Sequence, residues 1–314
     1  MRARDITLSR YAFALTPGVV LACVVLITGC SPHAAPAADP RAVTAAESVP
    51  PPVWMRGVWT REWIDRRGKR SSTFDVHYLQ TPTLYGDMRI PESRPSFAGA
   101  TSFADLTDEQ LHALARQRGF TGRTMVRGLI STWLHDIDFQ PADTAADIGR
   151  LERRGIDAMY EHAMDGSYVE SWRRHSDGGG RFLAIRIEQG HRVQQTLLVS
   201  GDDFIYVRNR AHDLPAAESI DSLIAMTHAD RAQIIAWLDC EFSTGRVRGG
   251  ASAWEITRST LPWREGKRLD FVDSVTVAPG GATPVSRSPA AGQWTVPVNT
   301  LSSAELERLF PAAH

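Results

Sequence analysis

A histidine set among aspartates has the composition of a metal site or an acid–base pair. The stretch TWLHDIDFQP, residues 132–141, supplies one. Its chemistry depends on which side chains share a face. In an extended strand Trp133, His135, Ile137 and Phe139 point one way, and Leu134, Asp136 and Asp138 point the other. His135 is therefore expected among apolar groups, away from both aspartates, as a buried wall residue rather than half of a chelate. The chain has no His-Glu-x-x-His helix motif, no calcium-loop pattern and no paired-cysteine motif, so neither a metal nor a cofactor is expected.

Other charged groups alternate with aromatics. Tyr85, Asp87 and Arg89 fall on one strand face, as do Tyr168, Glu170 and Trp172, and Tyr206 with Arg208; Tyr160 and His162 form a weaker pair. Faces like these that turn inward carry charges into an apolar interior, where they must pair to offset desolvation. One reading makes Trp59, Tyr85, Arg89, Trp133, His135, Glu170, Tyr206 and Arg208 the lining of a pocket with a polar floor. Such a pocket suits a small hydrophobic or amphipathic molecule. The other reading turns the same faces outward, or makes the charges ion pairs that fix geometry. No catalytic residue is assigned, because the chain has no Gly-x-Ser-x-Gly elbow, Walker loop or Rossmann fingerprint. The run Gly178-Gly179-Gly180 reads as a turn. Cys240, in alternation with Leu238 and Phe242, reads as a buried, inert thiol.

The elements that must position these groups are short alternating segments from Trp54 onward. "GVWTREW" places Gly57, Trp59, Arg61 and Trp63 on one face, and "TFDVHYLQ" and "LYGDMRI" follow. Later segments include "IDAMYEHAM", "SYVESWRR", "RFLAIRIE", "RVQQTLLVS", "DFIYVRNR" and "SAWEITRST". Asp165-Gly166, the triple glycine and Gly201-Asp202 supply hairpin chemistry. The pattern predicts a mainly β fold, an antiparallel meander that closes into one or two barrels and so avoids exposed edges. Two or three short helices interrupt it. Thr107 and Gln110 form a capping box, Leu106 and Leu111 a hydrophobic staple, and Gly119 is the expected stop. A second helix is read from Thr227 as N-cap with Ile234, Ile235 and Leu238 on its buried face, and a third in "SSAELERLF".

Gly57-Val58-Trp59 at the start of a first strand resembles the opening of the lipocalin (calycin) barrels. In those proteins the tryptophan plugs the floor beneath an arginine from a late strand, and Arg258 in "WEITRS" is the arginine the resemblance suggests. The ordered set "YLQTPTLYGDMRIP", "WLHDIDFQP", "YVESWRR", "DCEFSTGRV" and "STLPWREG" resembles an uncharacterised family of bacterial proteins with a lipocalin-like double-barrel body. A fungal group, the Hri-type proteins, is more distantly similar. The resemblance spans most of residues 56–266 and implies a fold, with no established reaction.

The N-terminus carries an address. Arg2, Arg4 and Arg10 precede the apolar run "YAFALTPGVVLACVVLIT", which is interrupted by Pro17. Its length and break suit an export signal better than a membrane span. Ile27-Thr28-Gly29-Cys30 resembles a bacterial lipobox, which implies that Cys30 becomes the lipidated first residue of the mature chain. Residues 1–29 are thus the expected signal peptide and 30–53 a tether. Between Ser31 and Val53 the tether holds seven alanines and six prolines, a composition that extends to about 70 Å at ~3.1 Å per residue. Residues 54–266 are the expected barrel region and 267–314 a C-terminal extension ending in a helix. Removal of the signal moves the formal charge from −1 to −3, which gives no electrostatic reason for a nucleic-acid partner. Cys240 is then the one cysteine neither cleaved nor lipidated, so no intrachain disulfide is expected.

The sequence therefore points first to an envelope lipoprotein, on the outer membrane, whose barrel binds a small ligand. A structural or interaction lipoprotein with a filled barrel is the alternative. A second alternative is an enzyme using the Tyr/Asp/Arg/Glu groups.

Overall fold

Alternation from Gly57 onward builds strands that close on themselves. In the computed structural model, which describes residues 49–143, 145–248, 254–287 and 292–310, the first of these is β1 (Gly57–Arg66), with β2 (Lys69–Ser71) folded back on its end. Then come β3 (Phe74–Gln80), β4 (Leu84–Pro91), helix α1 (Asp108–Ala115), β5 (Arg118–Arg127) and β6 (Ile130–Asp138). β7 (Asp147–Arg153), β8 (Ala158–Ala163) and β9 (Val169–Ser176) complete the set. β3 pairs antiparallel with β1, each later strand pairs antiparallel with the next, and β9 returns to pair with β1 from Val58 to Asp65. Leaving aside β2, this is a closed eight-stranded barrel. Closure removes the free edges that a meander of this length would otherwise expose.

The triple glycine is a turn, but it joins two sheets. It leads into β10 (Phe182–Gln189), β11 (Arg192–Ser200) and β12 (Asp203–Arg208). Helices α2 (Ile220–Thr227) and α3 (Arg231–Leu238) follow, then β13 (Glu241–Val247) and β14 (Trp254–Ser259). Beyond these lie the small β15 (Val275–Thr276) and β16 (Val285–Ser286), then β17 (Gln293–Asn299) and α4 (Ser303–Leu309). The second large sheet has the order β14-β13-β12-β11-β10-β17, and among the described residues no pairing joins its two ends. One barrel is closed.

The long apolar runs of β10 to β12 follow from burial on both faces. One face, with Ala184, Leu198, Ile205 and Val207, packs on the outside of the barrel against Leu79, Met88, Ile137 and Phe139. The other face, with Leu183, Leu197, Phe204 and Ile256, is covered by Leu269, Val275, Leu306 and Phe310 from the C-terminal segment. Two barrel glycines permit the first contact. A Cβ on Gly86 would lie 3.0 Å from Ile205, and one on Gly119 would lie 2.9 Å from Phe242.

The first helix has its expected capping box, Thr107 with Gln110. It ends at Ala115, however, and Gly119 belongs to β5, where the approach of Phe242 requires it. The second predicted helix is two. Thr227 is the last residue of α2, and the N-cap of α3 is Asp230, whose side chain accepts from the backbone N–H of Gln233. β5 and β7 were not legible as strands, since glycine and arginine interrupt their apolar alternation.

Candidate functional site

The interior of the barrel is apolar at one end and charged at the other. Trp59, fully buried near the start of β1, forms the apolar floor with Met55, Val126 and Leu151. Its indole N–H donates to the Met55 carbonyl at 2.8 Å. The guanidinium stacked over it belongs to Arg174 in β9, at 5.5 Å from the ring centroid. Arg258, suggested by the resemblance, lies elsewhere and pairs with Asp75 and Glu265.

Above the floor, Tyr78, Trp133, Met159 and Trp172 enclose a cavity of about 150 Å³. Asp87, Arg89, Phe120, Asp147, Glu161 and Glu170 surround its other end. Arg66 and the partly exposed Asp147 open it to solvent there. Tyr85 and Trp172 are buried, and among the described residues neither the Tyr85 hydroxyl nor the Trp172 indole N–H has a hydrogen-bond partner. Unmatched buried donors of this kind are uncommon in folded proteins.

The charges are organised in pairs. Arg89 grips Asp87 with two bonds, at 2.8 and 3.0 Å, and burial opposes its charge less than Asp87 and Glu170 favour it. Arg61 binds Glu170 at 2.5 Å, each side chain 4% exposed. His135 sits between Asp138, 2.6 Å from Nδ1, and Asp147, 3.1 Å from Nε2. Burial works against the charged imidazole, yet the two carboxylates hold its pKa up to about 9, so it is an imidazolium at neutral pH. Its ring stacks on Phe120 at 4.5 Å.

That arrangement corrects the strand alternation. His135 was expected to point away from both aspartates, but Asp138 lies on its side. The cause is a β-bulge: Gly122 of β5 faces His135 while Thr121 faces Ile137, so Asp136 is an extra residue and the faces exchange beyond it. Ile137 and Phe139 therefore pack outside the barrel, and Asp136 reaches Arg186 of β10 at 3.2 Å. Gly122 is needed at this bulge, because a Cβ there would lie 1.8 Å from the Leu134 carbonyl oxygen. A second bulge, at Glu62, turns Trp63 off the face of Trp59 and Arg61 and sets it against Tyr160 and Arg70.

Of the eight residues read as pocket lining, six lie in or beside the barrel interior: Trp59, Tyr85, Arg89, Trp133, His135 and Glu170. Tyr206 and Arg208 do not join them. They are on β12 of the second sheet, beside a separate groove of about 450 Å³ with Phe103 and Trp263. There Arg208 pairs with Asp239 at 2.6 Å, and the Tyr206 hydroxyl donates to Gln195. Tyrosines alternating with charged groups on several strands suggested one cluster, but sheet membership is a long-range property. The sequence reading placed Arg61 and Tyr168 on their strand faces without counting them as lining, and it missed Asp147 and Glu161. Glu161 had a signal, since it alternates with Met159 and lies directly across from Glu170 in the β8–β9 pair. Cys240 is fully buried, and burial pushes its thiol pKa up, as an inert side chain requires. Among the described residues no group of three or more His, Cys, Asp or Glu side chains could hold a metal. Cys30 lies outside the described residues.

Fold and site together define a closed antiparallel barrel with a small internal pocket of mixed aromatic and charged character. No protein-family model matches the chain, and no curated protein matches it. Among solved structures it is similar to an uncharacterised protein of Saccharomyces cerevisiae, at 10% identity and a TM-score of 0.45, over 78% of this chain and 98% of that one.

Proposed function

We propose that this protein is an envelope lipoprotein whose calycin-like barrel binds a small amphipathic molecule in the pocket above Trp59. The observation that carries the reading is the pocket itself: Trp133 and Trp172 line a space where a filled barrel would have packed side chains. The arginine of the last barrel strand over the first-strand tryptophan supports the calycin-like description. Size limits the ligand. An apolar cavity of about 150 Å³ takes one benzene ring, so the occupant is a single-ring-sized molecule rather than a long acyl chain. Benzyl alcohol and indole should each raise the midpoint of thermal unfolding, the shift growing with the logarithm of concentration above Kd, while a fluorescent long-chain fatty acid should show no saturable binding. If neither small probe shifts the midpoint at millimolar concentration, the barrel is a structural body and the binding reading fails.

The envelope address rests on the lipobox-like Ile27-Thr28-Gly29-Cys30 and the Pro/Ala-rich stretch after it. Among the described residues no helix is long and apolar enough to cross a membrane. Anchoring in this reading is by lipid on Cys30, with Ser31 directing the protein to the outer membrane. Cys30→Ser should abolish lipidation and leave uncleaved precursor, or a product cut elsewhere that carries no lipid anchor. A variant that matures at the same site and sediments with membranes as before would overturn the assignment.

A further inference from the structure

We infer that the ligand of the barrel pocket is a small organic cation, an ammonium or amidinium group on a compact apolar body, with Glu161 as its counter-charge. The inference rests on the binding reading above and adds the chemical class. Three interior cations, Arg61, Arg89 and His135, are already engaged by Glu170, by Asp87, and by Asp138 with Asp147. Arg66 is exposed at the rim. Glu161 is left over. It is 7% exposed and lines the cavity, and among the described residues it has no ion pair. Its Oε1 accepts from the Tyr168 hydroxyl at 2.9 Å. The space around it is made by sequence: a Cβ on Gly149 would lie 3.0 Å from the Glu161 side chain and 3.2 Å from the Trp133 ring.

Among the described residues the interior thus holds five carboxyl groups against three cations, and the fifth, Glu161, shares its cavity with Tyr78, Phe120, Trp133 and Trp172. A buried carboxylate beside aromatic faces is the environment that favours an alkylammonium group, through charge pairing and ring quadrupoles. Without a ligand, burial and then the charges of Glu170 and Asp147 push the pKa of the Glu161 carboxyl well above its usual range. An entering cation opposes that shift, favouring the ionised carboxylate and the release of a proton. The groups facing Glu161 that set this exchange are Glu170 on β9, Asp147 on β7, Arg89 on β4 and Tyr168 in the turn between β8 and β9.

Calorimetric titration of the purified full chain tests the inference with choline chloride and its neutral carbon isostere, dimethylbutanol. Choline should bind at least tenfold tighter than dimethylbutanol, and its heat should vary with the ionisation enthalpy of the buffer, reporting a released proton. Glu161→Gln should weaken choline at least tenfold and abolish the buffer dependence while leaving dimethylbutanol unchanged. Equal affinity of the wild-type protein for the two probes overturns the cationic assignment, and that comparison needs no variant to fold. Unchanged choline binding by folded Glu161→Gln overturns it as well. If benzyl alcohol or indole binds but choline does not, the cation inference fails alone. If none of the four binds, the binding reading fails with it.

Discussion

Arg61→Met is expected to lower the unfolding free energy by about 3–5 kcal/mol, the usual cost of removing one partner from a buried ion pair. Arg61 and Glu170 are each almost wholly enclosed. Glu170 would keep only the more distant Arg89, at 4.0 Å, while still facing Glu161 across the β8–β9 pair. Methionine retains much of the apolar stem, so the loss reports the charge rather than a void. The control is the double variant Arg61→Met with Glu170→Gln. Because most of the penalty is an uncompensated buried carboxylate, the double variant should recover a large part of it, a coupling visible in a double-mutant cycle by urea unfolding. A cost for Arg61→Met within about 0.5 kcal/mol, as for an exposed pair, would mean that the pair is solvated and the charged end of the barrel is open water.

The second large effect is expected at Arg210, a residue that no motif singled out. Its side chain, 3% exposed, donates to three backbone carbonyls: Trp237 at the end of α3, and Asp138 and Phe139 at the end of β6. It also lies over the Phe139 ring. One guanidinium thereby ties the barrel to the helices and second sheet beside it. A buried acceptor left without its donor costs about 1–3 kcal/mol. With partial relaxation of three carbonyls and relief of a buried charge, Arg210→Met should cost about 3 kcal/mol. Hydrogen exchange locates the loss: amides in α3 and at the end of β6 should lose protection more than those on the far side of the barrel, in β8 and β9. Uniform loss across both regions would instead show that Arg210 supports the whole core with no special role at the junction.

Much of the local structure was legible because it depends on neighbours in sequence. The capping box at Thr107, the hairpin at Asp165-Gly166 and the alternation of β3, β4 and β9 follow from side chains within a few residues of one another. So does the shared face of Tyr85, Asp87 and Arg89, whose inward direction alternation left open, and the uninterrupted apolar run of β10. Alternation also put Trp133 on an inward face, with a polar group close by.

What alternation could not supply is a count of residues in the opposite strand. One extra residue at Asp136 exchanges the faces beyond it, which brings Asp138 to His135 and sends Ile137 outside. The same device at Glu62 removes Trp63 from the interior. The sequence by itself determined an antiparallel β meander, its turns and helix caps, and an unusual mixing of charges with aromatics. Only the tertiary structure decided that Arg174 rather than Arg258 covers Trp59, that Tyr206 and Arg208 belong to a different sheet, and that Glu161 faces a cavity with no ion pair among the described residues. The reason is physical. Turns and caps are set by bonds spanning a few residues, whereas bulges, sheet membership and ion-pair choice are set by registers between strands far apart in the chain.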